Sequence, residues 1–395
     1  MKFDFATVDR IIFGAGKVSE ILSVIPTCNQ NICVVTGKNL IRAEPVTRLL
    51  EREKIDFVTI RVDNEPTVEN VNTGVNRARE AGCGCVVGIG GGSVLDTGKV
   101  IAALLTNEGE IFEYLEVIGK GNKLVNPSVP YITIPTTAGT GAEVTRNAVL
   151  TSLEHKVKVS MRSPFMLPFC AIIDPLLTLS MPKDVTAYTG LDAMTQLIEA
   201  YVSNKANPLT DSLCREGLKL VARSLSEVYI NGNNKSARED MACASLFGGL
   251  GLANSKLGAV HGFAGPLGGN IHAPHGSICG CLLPFVMEAN IKELKSKQES
   301  SITLFKYNEI AKIITRNEDA DLFDCIVFVR KLCIFFGIPN LAELGLSKNK
   351  INTIVEQAQR ASSMKGNPVL LPYEELQNIL TSALTGKPLS GKREK

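Results

Sequence analysis

The N-terminal half of the chain alternates short apolar runs with helical stretches, and this alternation restricts the fold more than any other feature. Asn31–Gly37, Asp56–Val62, Cys83–Ile89 and Pro130–Ile134 read as strands, with helices over Val46–Lys54, Val68–Glu80 and Ser93–Leu105. Runs that are apolar on both faces and separated by helices predict a parallel, doubly wound sheet. After Asp174-Pro175 the pattern changes to long helical stretches: Thr186–Val202, Pro208–Val228, Ala237–Asn254, Ile278–Ala289, Ile302–Ile314, Leu322–Phe336 and Lys350–Ser362. Prolines at 175 and 182 punctuate the change. The 395 residues, against roughly 150 per domain, therefore predict an α/β domain over 1–180 and an all-helical domain over 181–395. The two are expected to pack closely and share a cleft.

Composition removes several function classes. Lys+Arg number 42 against 40 Asp+Glu, and the only basic run is the tail Lys387–Lys395, read as a solvated end. No stripe suited to nucleic acid exists. No run of uncharged apolar residues is long enough for a membrane span, and the N-terminus lacks the charged head and apolar core of a signal peptide. Eleven cysteines, an odd count in a long chain, read as reduced thiols of a cytoplasmic protein. The Cys83/Cys85 and Cys279/Cys281 pairs lack the spacing of a structural zinc site and are read as core thiols.

Two loops carry a phosphate signal. Gly88-Ile-Gly90-Gly91-Gly92-Ser93 follows the third strand and opens a helix, so free N–H groups of the first turn can cradle an anion. The sixth position is Ser93, which departs from the G-x-G-x-x-G fingerprint. Gly14-Ala-Gly16 has a similar look and reads as a tight turn. Pro135-Thr-Thr-Ala-Gly-Thr-Gly141 follows the fourth strand at the carboxyl edge, where ligands of open α/β sheets bind. Together the loops suggest one extended ligand such as a dinucleotide. The strand Ile32–Val35 ends in Thr36-Gly37-Lys38 without the carboxylate that binds a ribose 2′-hydroxyl. Gly37 leaves room for a 2′-phosphate, and Lys38 or Arg42 can pair with it, which favours NADP(H) over NAD(H).

The second half carries a metal signal. Of four histidines, His261, His272 and His275 crowd into fifteen residues. Asp192 and Gln196 stand at i and i+4 on one helical face, with Glu199 close to it. Asp, Gln and two His form an oxygen/nitrogen set suited to Fe²⁺, Zn²⁺ or Mn²⁺. From spacing alone a second reading stays open, with Asp192 capping or pairing and the histidines hydrogen-bonded near a loop.

At these residues the chain resembles the iron-containing (group III) alcohol dehydrogenases of the dehydroquinate synthase-like superfamily. The resemblance runs through Gly90-Gly-Gly-Ser93 with Asp96 and Lys99, Pro135-Thr-Thr-Ala-Gly-Thr-Gly-Ala-Glu-Val-Thr145, Ile173-Asp-Pro175, Gly190-Leu-Asp192-Ala, His261-Gly-Phe-Ala-Gly-Pro-Leu-Gly268, Pro274-His275-Gly276 and Leu283-Pro284. It implies a nucleotide-binding N-terminal domain, an all-helical C-terminal domain and catalysis between them. It implies that Gly90, Gly91, Gly92 and Ser93 hold the pyrophosphate and that Thr136, Thr137, Thr140 and Lys158 line the nicotinamide side. It implies Asp192, His261 and His275 as metal ligands, and a homodimer. Two departures stand out: Gln196 where the family has a second-ligand His, and Gly265 where many members have a His near the substrate. His272 is a substitute for that proton relay. Gly37, often Asp in NAD-specific members, agrees with NADP.

The expected function is a metal-dependent, NAD(P)-linked alcohol dehydrogenase or aldehyde reductase with Fe²⁺ first and Zn²⁺ second, His272 and His275 catalytic, and a small alcohol or aldehyde substrate. The alternatives are a metal-independent reductase of the maleylacetate reductase kind and a nucleotide-binding lyase or non-redox protein. Asp96 is read as stabilising its loop, Met161 and Met166 as core, and Glu143 with Arg146 as a structural pair.

Overall fold

The computed structural model describes residues 2–26, 30–155, 157–297 and 301–386, so the basic tail lies outside the described residues. The chain forms two compact units, Ala6–Met181 and Pro182–Lys395 with Met1–Phe5. Strands are β1 Arg10–Phe13, β2 Asn31–Gly37, β3 Phe57–Val62, β4 Cys83–Gly90, β5 Tyr131–Pro135, β6 Asn147–Ser152, β7 Val157–Arg162 and β8 Cys170–Ile173. Helices of the first unit are α1 Ile21–Val24, α2 Glu44–Arg52, α3 Val68–Glu80, α4 Gly92–Leu104 and α5 Ile111–Tyr114.

Six strands form one parallel sheet in the order β1-β8-β5-β4-β2-β3, and β6 pairs with β7 as a separate antiparallel hairpin. Successive strand residues face opposite sides, and β2 divides its side chains accordingly. Cys33 and Val35 join a core with Val71, Ile101 and Tyr131; Ile32 and Val34 join another with Val46, Leu50 and Ile172. The sheet is thus covered on both faces, as its uninterrupted apolar strands require. From β2 the chain steps outward to β3 and then returns to place β4 on the other side of β2. The carboxyl ends of β2 and β4 border this reversal, the point where open α/β sheets bind ligands.

The second unit holds α6 Lys183–Val202, α7 Pro208–Ile230, α8 Lys235–Ser255, α9 Ala259–Asn270, α10 His275–Ser296, α11 Ser301–Thr315, α12 Asp324–Phe335, α13 Ile351–Arg360 and α14 Tyr373–Thr385. α6 is the central helix, packed by α7, α8 and α10 and buried over most of its length. At the α6–α10 crossing, a Cβ on Gly276 would lie 2.0 Å from the Tyr188 carbonyl oxygen. Glycine there lets the start of α10 meet α6 backbone to side. No helix of the described residues is long and apolar enough to cross a membrane.

Candidate active site

The first unit gathers the phosphate-binding loops. Gly91 caps α4 in an extended conformation and accepts from Val94 N (3.0 Å) and Leu95 N (3.1 Å). Gly92 and Ser93 stand in the first turn, whose N–H groups have no intrahelical acceptor. The Gly90 carbonyl accepts from Thr136 N (2.9 Å), tying the turn to the threonine loop after β5. A Cβ on Gly91 would meet Thr137 Cγ2 at 3.3 Å, and one on Gly92 would meet Thr140 Cγ2 at 2.9 Å. The two loops therefore nest against each other only because the turn is glycine. Thr36, at the carboxyl end of β2, is buried and its Oγ1 has no hydrogen-bond partner among the described residues. Gly37 follows it, with Lys38 exposed beyond.

Lys158 lies on β7, and its ammonium donates to Glu65 Oε1 (2.6 Å). Asp96 and Lys99 clamp α4 to β6 and the stretch before it. Asp96 Oδ2 accepts from Val149 N (2.9 Å), and the buried Lys99 donates to Thr145 Oγ1 and the Asn147 carbonyl (both 2.8 Å). Met161 and Met166 pack in the core. Glu143 is also buried, with Lys99 as its nearest opposing charge, and burial pushes its carboxyl up to about 7. The expected pair with Arg146 is not formed among the described residues; Glu143 is buried, whereas Arg146 stays half-buried.

The second unit brings four donor atoms together. Asp192 of α6, His261 of α9, and His275 and Cys279 of α10 present ligand atoms that all lie within 4.8 Å of one another. Asp192 Oδ1 is 3.3 Å from His261 Nε2 and 3.9 Å from His275 Nε2. Cys279 Sγ is 3.6 Å from His275 Nε2 and 3.9 Å from His261 Nε2. Asp192, His261 and Cys279 are enclosed, whereas the His275 side chain is 39% exposed and forms the accessible wall.

The orientation of His261 is fixed from behind. Its Nδ1 lies 2.7 Å from Glu199 Oε2, and a carboxylate only accepts, so Nδ1 carries the proton. Glu199 also accepts from Val260 N (2.7 Å) and His261 N (3.4 Å). In the neutral ring Nε2 then presents its lone pair to the Asp192 carboxylate. Two acceptors 3.3 Å apart require a proton or a cation between them. The charges around the two groups act in the same sense. Burial opposes charge on His261, yet Cys279, Asp192 and Glu199 outweigh it and hold its pKa well above the ordinary value. Burial raises the Asp192 carboxyl, but the two imidazoles and a hydrogen bond from Gln196 leave it below the ordinary value. His275 is raised chiefly by Cys279.

Gln196 sits one turn beyond Asp192 on α6. His272 is exposed in the stretch joining α9 and α10 and lies outside the donor group. Cys281 points away, with its Sγ 3.7 Å from the Ala383 carbonyl. Cys279 is buried, as a core thiol would be, but its surroundings are polar. It stands four residues past His275, one helical turn on, and faces both imidazoles. That spacing was the available signal, and Glu199, on the same face as Asp192, is the other residue whose role needed α9 in place.

Comparison with known proteins decides the family. Residues 9–175 match the model of "Iron-containing alcohol dehydrogenase", and residues 186–384 match that of "Fe-containing alcohol dehydrogenase family, C-terminal". The chain belongs to the iron-containing alcohol dehydrogenase family. It is 36% identical to a 1,3-propanediol dehydrogenase of Citrobacter freundii over 394 residues, covering 96% of this chain and 98% of that protein. It is 35% identical to alcohol dehydrogenase 4 of Saccharomyces cerevisiae over 377 residues, covering 94% and 96%. A solved structure of a 1,3-propanediol oxidoreductase superposes with a TM-score of 0.88 at 33% identity, covering 97% of this chain and all of that one. Membership makes the chain an oxidoreductase of the alcohol dehydrogenase type and carries with it a divalent metal and a nicotinamide cofactor.

Proposed function

We propose that this protein is a metal-dependent, NAD(P)-linked alcohol dehydrogenase or aldehyde reductase acting on a small-molecule alcohol or carbonyl. The carrying observation is the acceptor pair His261 Nε2 and Asp192 Oδ1, held 3.3 Å apart with the imidazole tautomer fixed by Glu199. With His275 they form an oxygen/nitrogen donor set appropriate to Fe²⁺ or Zn²⁺, so the residues fit the metal that the family carries. Gln196, one turn on, donates to Asp192 and is the proposed fourth member of the set. When bound, a divalent ion supplies Lewis-acid polarisation of an alcohol or carbonyl oxygen, and a nicotinamide supplies a two-electron hydride exchange.

The chain's own residues do the rest. Asp192 and His261, enclosed and hydrogen-bonded, preorganise the inner wall; His275 closes the accessible side and orients what enters. His272, exposed three residues before His275, is the proposed relay that takes the hydroxyl proton to solvent. For the cofactor, Gly90, Gly91, Gly92 and Ser93 receive the pyrophosphate on the first turn of α4, with Thr136, Thr137, Thr140 and Lys158 on the nicotinamide side. Thr36 offers its buried hydroxyl. Gly37 with Lys38 and Arg42 favours the 2′-phosphate of NADP(H), since no carboxylate repels it. A cytoplasmic homodimer completes the proposal.

The test is His275→Ala. The variant is expected to lose both its divalent ion and alcohol-dependent NADP⁺ reduction while keeping nucleotide binding. A fully active, metal-loaded variant overturns the assignment.

A further inference from the structure

The metal reading above uses three of the four convergent donors. The fourth, Cys279 Sγ, is fully buried, faces both imidazoles and has no role in that reading. Resting on that reading, we propose that Cys279 is a direct ligand of the metal, so that the centre is an Asp/His/His/Cys site.

Four observations lead there. The first is distance. A tetrahedral centre with metal–N and metal–O bonds of about 2.1 Å and a metal–S bond of about 2.3 Å has N···O edges of about 3.4 Å and N···S edges of about 3.6 Å. The N···O separations are 3.3 and 3.9 Å, and the N···S separations 3.6 and 3.9 Å. All four edges fall within about half an ångström of that figure, without any side chain having to move across the site.

The second is the backbone. Residues i and i+4 of a helix share a face, and His275 and Cys279 are such a pair at the start of α10. Gly276 holds that turn against α6, which carries Asp192. Sulfur and carboxylate are thereby fixed by two helices whose crossing tolerates no Cβ.

The third is the contrast with other cysteines. Cys281, Cys325 and Cys333 turn their sulfur toward a backbone carbonyl, those of Ala383, Leu322 and Gly280. This is how a buried thiol ordinarily spends its weak donor. The contacts of Cys279 are two imidazole nitrogens instead.

The fourth is valence. A thiol has one hydrogen and can serve one imidazole at a time, whereas a single cation satisfies the sulfur, both Nε2 lone pairs and Asp192 together. On coordination the S–H bond breaks, the S–metal bond forms, and the proton leaves to solvent; no electron is transferred.

The consequence is a change of metal chemistry. A carboxylate plus a thiolate neutralises a divalent ion, and thiolate sulfur favours zinc and cobalt over the harder magnesium and manganese. Gln196 is then relieved of supplying the fourth bond, and the substrate oxygen of the proposed reaction would come in as a fifth donor.

Cobalt substitution reads this directly. The whole protein is stripped of metal, loaded anaerobically with Co²⁺ alone, and its absorption recorded with cobalt content. The expected result is about one cobalt per chain with a near-ultraviolet sulfur-to-cobalt charge-transfer band. The band should vanish in Cys279→Ser, persist in Cys281→Ser, and zinc affinity of Cys279→Ser should fall by at least about tenfold, the lower bound for losing even an orienting partner. If Cys279→Ser does not fold, Cys279→Ala takes its place, and the band must be absent from whatever cobalt that variant binds. Stoichiometric cobalt without the band, or a band that survives Cys279→Ser, overturns the ligand assignment and leaves the metal reading standing. No cobalt binding by the wild-type protein overturns both.

Discussion

Glu199→Gln isolates the part of the site that holds no ligand and decides how tightly the metal binds. Glu199 uses both carboxylate oxygens as acceptors: Oε1 takes Val260 N–H at 2.7 Å and Oε2 takes His261 Nδ1–H at 2.7 Å. A glutamine of the same shape has one acceptor and one NH₂. If its oxygen stays on Val260, the NH₂ faces Nδ1, and His261 must move its proton to Nε2. That proton then points at Asp192 and occupies the lone pair needed for coordination. If the amide flips, the oxygen serves Nδ1–H and the NH₂ opposes Val260 N–H in a buried position. A buried donor left without an acceptor costs about 1–3 kcal/mol. Either way the ligand-competent arrangement loses about 1.4–2.7 kcal/mol, the free-energy equivalent of the 10–100-fold loss seen for comparable orienting carboxylates. The metal-free form pays little, because an Nε2 proton facing Asp192 is itself favourable. The assay is zinc competition against a chromophoric chelator at neutral pH, with a melting curve of the metal-free protein beside it. Zinc affinity weakened 10–100-fold with nearly unchanged melting is expected. Unchanged affinity would refute the argument that Glu199 sets the tautomer.

Three other outcomes follow from the geometry. Gly276→Ala places a Cβ 2.0 Å from the Tyr188 carbonyl oxygen, so α10 must shift from α6. Stability should fall by about 1–3 kcal/mol in denaturant titration, with metal occupancy falling alongside. Gly92→Ala drives a Cβ to 2.9 Å from Thr140 Cγ2 and should weaken NADPH binding, followed by nicotinamide fluorescence, at least about tenfold while metal content stays unchanged. Glu143 has a folded pKa of about 7 against an ordinary 4.5 because burial penalises its charge. Between those values the folded protein holds a proton that the unfolded chain has released, so stability falls as pH rises through the window and the loss is complete above it. The contribution is about 3 kcal/mol. Wild type should therefore lose stability relative to Glu143→Gln between pH 5 and about 7.5, and a difference independent of pH contradicts the assignment.

The sequence disclosed some elements far better than others, for physical reasons. β2 and β4 are buried on both faces and read as unbroken apolar runs, so their limits were legible to within a residue. The β6–β7 hairpin escaped because Lys158, Ser160 and Arg162 on β7 share its length with apolar residues and its partner is a single strand. α9 escaped for a different reason. It carries Gly262, Gly265, Pro266, Gly268 and Gly269, residues that argue against a helix, and packing alone makes it one. Asp192, Gln196 and Glu199 could be placed on one face from spacing. That Glu199 would meet His261 depended on α9, and no periodicity foretold it. Cys279 reads as a core thiol because its Cys-x-Cys spacing is not that of a structural zinc site, although its place one turn from His275 is visible.

The most direct test of the account is the metal content of the protein purified without air and without chelator. About one divalent ion per chain is expected, held by Asp192, His261 and His275 and absent from His275→Ala. A protein that carries none, and regains none when Fe²⁺ or Zn²⁺ is supplied, would contradict it.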